Sequence, residues 1–444
     1  MKLFSIIIIF IFFHSCSFDN KTGIWKNNND ISNKIKKETD AFKDFKDISS
    51  SKDSFNEEIL INKEFKFNLT NPINNLIWKD IYYNRENNSK NFKYNDLNEI
   101  IFKSKKTTKY QISEHLLFEN NNVIINDDKG NIIIFSINQN KLITKFNFYK
   151  KKYKKIKKKL NIIVENNILY VSDNIGYLYA FDYRKNKIIW AKNYKIPFRS
   201  NLKIENNMLI GANQNNNLFF FKKSNGEIEN SIPTEKTIIK NEFINNLSSN
   251  EKYLYFLNTY GSLYSIEKKS MRINWFINLN QSLELNPSNL FNGNQILINS
   301  KVVVVSSNHF TNVINPFNGK IIYKKNFSSS VKPLIIDNFL FLITENNFLV
   351  AINLNDGKII YSLDINTEIA NFLNIKKKKA NVKNIIMLND KIFVFLNNSY
   401  FLRFNVRGNL EKVDKLPLKL NSYPMIINGS MIYLNDKNRI SVID

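Results

Sequence analysis

From about residue 73 onward, apolar positions fall into short runs separated by turns rich in Asn, Asp and Gly, and the arrangement recurs. One unit shows the pattern plainly. Asn167-Ile168-Leu169-Tyr170-Val171 is followed by a turn at Asp173-Asn174-Ile175-Gly176. A second run, Tyr177-Leu178-Tyr179-Ala180-Phe181-Asp182, leads through a further turn to Lys187-Ile188-Ile189-Trp190. β-Branched and aromatic residues dominate, and the inner runs are nearly all apolar, as strands buried on both faces require. With Asp182 as reference, the equivalent positions are Ser136, Lys222, Glu267, Asn315, Asn353, Asn405 and Asp444, a spacing of roughly 38 to 52 residues that marks stacked supersecondary units. Asn186, Gly226, Gly319 and Gly357 come one short turn after their references and tolerate positive φ. Further along stands a large aromatic residue, Trp190, Trp275, Tyr323 or Tyr361, with Thr144 and Asn230 breaking the series.

The last unit, from Pro424 to Asp444, stops at its reference position and lacks an outer strand. Near the other end, Asn75-Leu76-Ile77-Trp78-Lys79-Asp80-Ile81-Tyr82 matches Asn186-Lys187-Ile188-Ile189-Trp190 and the residues just after it. The N-terminal segment is therefore expected to supply the missing strand, with Trp78 in the inter-blade place of Trp190. That exchange closes a ring and removes an open sheet edge. The expectation is an all-β protein: an eight-bladed β-propeller of four-stranded antiparallel blades over residues 73–444, closed by the N-terminal strand completing the last blade.

The N-terminus has a different character. Lys2 precedes an apolar run from Leu3 to Phe13, about a dozen residues and too short to span a bilayer at about 20 residues per helix. It ends in Phe13-His14-Ser15-Cys16, which resembles the lipobox of bacterial lipoproteins, and Cys16 is the only cysteine among 444 residues. Residues 1–15 are expected to be a lipoprotein-type signal peptide and Cys16 the lipidated residue. Residues 16–72, rich in Asn, Lys, Ser and Asp, are expected to be a flexible tether. Ser17, where an Asp would favour inner-membrane retention, favours the outer membrane by the same resemblance.

The repeat element Leu178-Tyr179-Ala180-Phe181-Asp182 with Lys187-Ile188-Ile189-Trp190, found again from Val350 to Tyr361, resembles the repeat of PQQ-like propellers. No WD dipeptide signature accompanies it. A lipobox, a tether and a single propeller together resemble the BamB-type lipoproteins. These are non-enzymatic subunits of the machinery that inserts β-barrel proteins into the outer membrane. The resemblance implies a protein held at the periplasmic face of the outer membrane by its lipid anchor, without cofactor. Its expected partner is the barrel-forming, BamA-like subunit, with unfolded outer-membrane proteins as further candidates. It also points to Phe198-Arg199, after Trp190, as the partner-binding pair. An apolar anchor beside a guanidinium fork suits such a contact. The alternatives are a quinone-dependent dehydrogenase and a binding protein for another cell-envelope ligand.

Candidate chemistry is sparse. A single cysteine excludes a disulfide framework, Cys-based metal sites and Cys-x-x-Cys-His haem attachment. No Gly-x-Ser-x-Gly elbow, P-loop or His-Glu-x-x-His occurs. His115 and His309 lie in different repeats, read better as strand-end or loop residues than as ligands, and no catalytic or metal-binding set is assigned. Lys+Arg number 64 against 39 Asp+Glu, a net charge of +25. Lys, Asn, Ile, Phe and Tyr are enriched together while Ala and Gly are scarce, so compositional drift accounts for much of the charge, and no nucleic-acid partner is expected. Two lysine runs, Lys150 to Lys159 and Lys376 to Lys379, fall between repeats. They are either solvated loops or sites of attraction to anionic lipid or an acidic partner.

Overall fold

The structure, a computed structural model, describes residues 55–149, 153–237, 242, 244–280 and 291–444, with the backbone of residues 16–18 and 25–27. The expected signal peptide, the Cys16 side chain, most of the expected tether and residues 150–152 lie outside the described residues. Cys16–Phe18 pairs antiparallel with Trp25–Asn27 in a unit of its own, Met1–Asp53.

The second unit is a ring of eight four-stranded antiparallel sheets. Blade 1 shows the plan, with strands Leu117–Glu119, Asn122–Asn126, Asn131–Ser136 and Lys141–Asn147 in spatial as well as sequence order. Blades 2 to 7 cover residues 160–193, 203–232, 246–278, 297–325, 334–364 and 382–415. The first strands of neighbouring blades approach one another and line the central channel. Middle strands are buried along almost their whole length, whereas an outer strand such as Lys187–Asn193 buries only Trp190. The core is therefore distributed as layers between blades. Leu117, Ile124 and Ile134 of blade 1 pack on Leu160, Val171 and Tyr179 of blade 2, and comparable clusters recur around the ring. Each such side chain contributes about 1.5–3 kcal/mol by leaving water.

The chain makes these many hairpins with few glycines. Most of its non-glycine residues at positive φ are Asn, among them Asn121, Asn166, Asn186, Asn206, Asn347 and Asn428. Asn tolerates the left-handed region better than other side chains. The Asp173 carboxylate, at the turn between the second and third strands of blade 2, accepts the backbone N–H groups of Ile175, Gly176 and Tyr177. Asp127, Asn213 and Asn258 anchor the corresponding turns of blades 1, 3 and 4.

The repeated aromatic residue and the repeated glycine meet across blades. A Cβ built on Gly226 would lie 2.7 Å from the Trp190 ring, one on Gly319 2.6 Å from Trp275, and one on Gly357 2.9 Å from Tyr323. The aromatic residue on one blade's outer strand thus lies flat on the turn glycine of the next. Trp190 Nε1 donates to the Lys223 carbonyl at 2.8 Å and Trp275 Nε1 to that of Pro316 at 3.0 Å. The first exception keeps the bond without the ring, since the Thr144 hydroxyl donates to the Tyr183 carbonyl at 3.1 Å. A register shift recurs where the outer strand meets its neighbour, as between Ala180 and Phe181. Such a bulge turns the aromatic residue toward the next blade.

Blade 8 is closed as expected, but by a different strand. Ile100–Lys103 pairs with Ile440–Ile443, Ile100 opposite Ile443 and Lys103 opposite Ser441, and completes Met425–Ile427 and Ser430–Leu434. The segment from Leu76 to Tyr82 does not enter the blade, and Trp78 does not take the inter-blade position. It enters the channel instead. Residues 75–95 make one lap of it, bonding the channel wall of each blade in turn. The Asn75 amide donates to the Ile426 carbonyl of blade 8 at 2.8 Å. Trp78 exchanges backbone bonds with Phe118 of blade 1, and Val164 of blade 2 donates to the Lys79 carbonyl. Asp80 pairs with Lys203 of blade 3 at 2.6 Å. Ser249 of blade 4 donates to Arg85, Ile298 of blade 5 to Glu86, and the Asn88 amide to Ile335 of blade 6. Phe92 donates to Met387 of blade 7, and Asn95 to Gly429 of blade 8. This internal hoop has a small core of its own, Trp78 packing on Tyr83 at 4.9 Å and on Phe92 at 5.9 Å.

Residues 55–72, expected in the tether, lie instead along the outside of the ring. Phe55 packs on Phe327 at 4.4 Å, Ile59 exchanges backbone bonds with Ser362 on the edge of blade 6, and Phe67 packs on Phe339 at 4.8 Å.

Candidate functional site

The hoop bonds the far ends of the first strands, so it floors the channel and leaves a funnel open on the other face, where each blade passes to the next. The funnel is a cavity of about 420 Å³ lined by Trp78, Tyr82, His115, Lys332, Lys383 and Tyr423 among others. The His115 Nδ1 lies 3.1 Å from the Ile81 carbonyl, which makes it the protonated nitrogen of a neutral ring. That ring packs between Tyr82, centroids 5.2 Å apart, and Tyr423, 4.9 Å apart. Burial pushes the imidazole down to about 4, so it is neutral at neutral pH. Tyr82, which accepts a bond from the Gln295 amide at 3.2 Å, is pushed up to about 12 by burial. Lys332 donates to the Asn87 carbonyl at 2.9 Å, and burial pushes it down to about 8.

The carboxylates near the funnel are engaged. Glu114 meets Lys383 at 2.5 Å, and the Lys383 ammonium also lies 4.9 Å from the Tyr423 ring centre. Asp80 is held by Lys203. A quinone site with calcium would need carboxylate and amide oxygens converging on the ion and an Asp free to act as base. Among the described residues no group of three His, Cys, Asp or Glu side chains converges in a metal-binding arrangement. His309 stands at φ 69° in an exposed turn of blade 5, away from the funnel lining.

The structure places Phe198 and Arg199 on the link between blades 2 and 3, on the same face as the funnel but not in its lining. The Phe198 ring is 2% exposed and packs on Tyr194 and Phe221, so it anchors the link from within. Arg199 is half-buried. Its N–H donates to the Ala212 carbonyl at 3.0 Å and its carbonyl accepts from Asn245 at 2.7 Å, which fixes the backbone on both sides. Its Nε finds no acceptor among the described residues. Nearby Glu242 is held below the usual carboxylate range by Lys159, 3.1 Å away, with a smaller effect from Arg199. The pair is thus an internal anchor beside a half-buried guanidinium whose Nε lies out of solvent. Apart from Trp78, which the repeat match assigns to blade 8, and His115, the hoop and funnel residues escape a reading of the sequence, because neither a repeat nor a motif marks them.

The fold is shared with solved structures at low identity. BamB from Moraxella catarrhalis aligns over 78% of this chain and 99% of its own, at 12% identity and a TM-score of 0.60. The quinohemoprotein alcohol dehydrogenase from Comamonas testosteroni aligns over 83% of this chain and 80% of its own, at 9% identity and a TM-score of 0.59. The computationally designed Ika8 protein aligns over 78% of this chain and 99% of its own, at 9% identity and a TM-score of 0.59. None of the curated proteins matches this chain by sequence. A family model described as outer membrane protein assembly factor BamB matches residues 128–363, from the turn of blade 1 to the outer strand of blade 6. That match spans more than half of the sequence, and the chain belongs to the BamB family of PQQ-like propellers.

Proposed function

We propose that this chain is a lipid-anchored scaffold subunit at the periplasmic face of the outer membrane, assisting assembly and insertion of β-barrel proteins through protein–protein contacts. The family match carries the reading. Features of the chain support it. The channel is floored by the chain itself, and the carboxylates around it are paired with lysines. Arg199 stands half-buried on a link whose backbone is fixed on both sides, and its guanidinium is of the type that pairs with a carboxylate on the barrel-forming, BamA-like partner. Phe198 supports that contact from beneath. Cys16, at the end of the apolar leader, is the expected acylation point, and two or more acyl chains anchor where one does not. Neither a cofactor nor catalysis belongs to this reading.

The deciding experiment is affinity capture of the tagged chain from solubilised membranes. Barrel-assembly subunits should co-elute with the wild type and fall sharply with Arg199→Glu, while the circular dichroism spectrum stays unchanged. An eluate without those subunits would overturn the scaffold reading. Equal recovery with Arg199→Glu would move the interface away from this link. Stoichiometric quinone uptake with dye reduction would replace the scaffold reading by an enzymatic one.

A further inference from the structure

The links between blades all emerge on one face, because the strands of each blade alternate in direction and every first strand runs the same way around the ring. Two of these links carry apolar side chains in water beside lysines. Between blades 6 and 7 lies the helix Ile365–Leu373. Asp364 caps it, accepting the Asn366 N–H, and Asn374 ends it in the left-handed conformation at φ 54°. Its first turn is buried through Ile365. At its other end Phe372, Leu373 and Ile375 are 48%, 41% and 53% exposed, and Lys376, Lys377, Lys378 and Lys379 come next, all exposed. Only Lys377 among them has a carboxylate partner among the described residues, Asp364 at 2.5 Å. Between blades 1 and 2 the same combination appears on a turn, where Ile156, 43% exposed, stands among Lys154, Lys155 and Lys157.

Compositional drift, which enriches Lys, Ile and Phe alike, would scatter them over the surface and does not set exposed Phe372, Leu373 and Ile375 directly beside four lysines. Nor do these residues line an apolar groove that a peptide could fill. They project from two separate links of one face. A broad surface that is negative outside and apolar just beneath satisfies both halves of the pattern, with lysines at the headgroups and short apolar side chains at the acyl boundary. We propose that this face docks on an anionic lipid surface, with Phe372, Leu373 and Ile375 as the inserting wedge, Lys376, Lys378 and Lys379 as the headgroup contacts, and the Ile156 turn as a second foot. The proposal does not depend on acylation of Cys16 or on the barrel-assembly partner.

The test uses the full chain carrying Cys16→Ser, so that no acyl chain contributes, in co-sedimentation with vesicles of phosphatidylcholine alone or with about one quarter phosphatidylglycerol. Binding is expected to the anionic vesicles only, and to weaken in about 0.5 M salt. The triple change Lys376→Gln, Lys378→Gln and Lys379→Gln should lower partitioning about tenfold or more. Phe372→Ser with Ile375→Ser should lower it at unchanged net charge. A control, Lys187→Gln with Lys269→Gln and Lys320→Gln, removes the same charge from turns of the opposite face and should bind as the parent does. Equal loss in the control would show attraction by net charge alone and overturn the proposal. So would absence of binding to anionic vesicles at low salt, or full binding by the Phe372 and Ile375 double variant. Capture of an acidic protein without vesicle binding would assign the face to a protein partner instead.

Discussion

Lys203 is 1% exposed, and its ammonium sits among Asp80 Oδ2 at 2.6 Å, Asn87 Oδ1 at 2.6 Å and the Asn84 carbonyl at 3.0 Å. Desolvation holds its pKa below the usual lysine range, against the opposing pull of Asp80, and the hoop supplies an acceptor on three sides. Lys203→Met should destabilise by about 3–5 kcal/mol in urea unfolding, because Asp80 is then buried as an unpaired anion. Adding Asp80→Leu should recover much of that loss. His115 makes a pH prediction. Its pKa is lowered from 6.5 to about 4, so the unfolded chain binds the proton more readily. The stability from this neutral ring is complete above about pH 6.5 and is lost as pH falls to about 4, at most about 3 kcal/mol. Glu114, Lys332 and Lys383 face the same ring, the first opposing the shift and the two lysines adding to it. His115→Gln should flatten that part of the stability profile, and an unchanged slope would place the acid sensitivity elsewhere. Lys203 cannot be singled out in sequence, since a lysine among 64 Lys+Arg carries no mark of burial, whereas His115 is visible as a rare residue but not as a buried one.

At the scale of elements, aromatic residue and glycine form one device split between two blades. Gly319 stands at φ 73° with the Trp275 ring across it. Gly319→Ala meets both the backbone penalty and the ring, and should cost about 1–3 kcal/mol in thermal or urea unfolding. In a Trp275→Leu background the same change should cost less, as expected for residues that share a contact. Such periodic devices are legible because every blade must solve the same packing problem, which is why the eight reference positions correspond to the ends of the third strands. The closing strand is legible too, although the match to Leu76–Tyr82 assigns it wrongly. Asn98-Glu99-Ile100-Ile101-Phe102 follows Asn186-Lys187-Ile188-Ile189-Trp190 with Glu in place of Lys and Phe in place of Trp, and Asn98 shares the positive φ of Asn186. Trp78 draws the match toward its own segment, although its indole belongs to the core of the hoop. Phe102 takes the inter-blade place instead, against Phe135 of blade 1 at 6.1 Å. The hoop itself has no period, and its bonds run mostly to backbone atoms, which are the same for any side chain.

For the whole molecule, the ring is held around its circumference and again from inside. Deleting residues 17–54 should leave the melting temperature nearly unchanged. Deleting residues 17–95 should lower it steeply, because that removes the lap of the channel and the aromatic contacts of Phe55 and Phe67. Similar melting of the two deletions would show the hoop to be a passenger. The closing strand leaves a ribosome or a translocation pore long before its blade 8 partner, Ile440–Ile443. The Ile440 N–H bonds the Ser104 hydroxyl across a sequence separation of 336 residues. A contact so distant in sequence brings its loop-closure cost late and makes folding slow. Until Ile440–Ile443 arrives, the nascent chain holds an unpaired strand, Ile100–Lys103, and only two strands of blade 8, Met425–Ile427 and Ser430–Leu434. Removing Ile440–Ile443 should therefore act less like trimming a tail than like leaving a clasp unfastened, yielding a protease-sensitive chain rather than a slightly weaker ring.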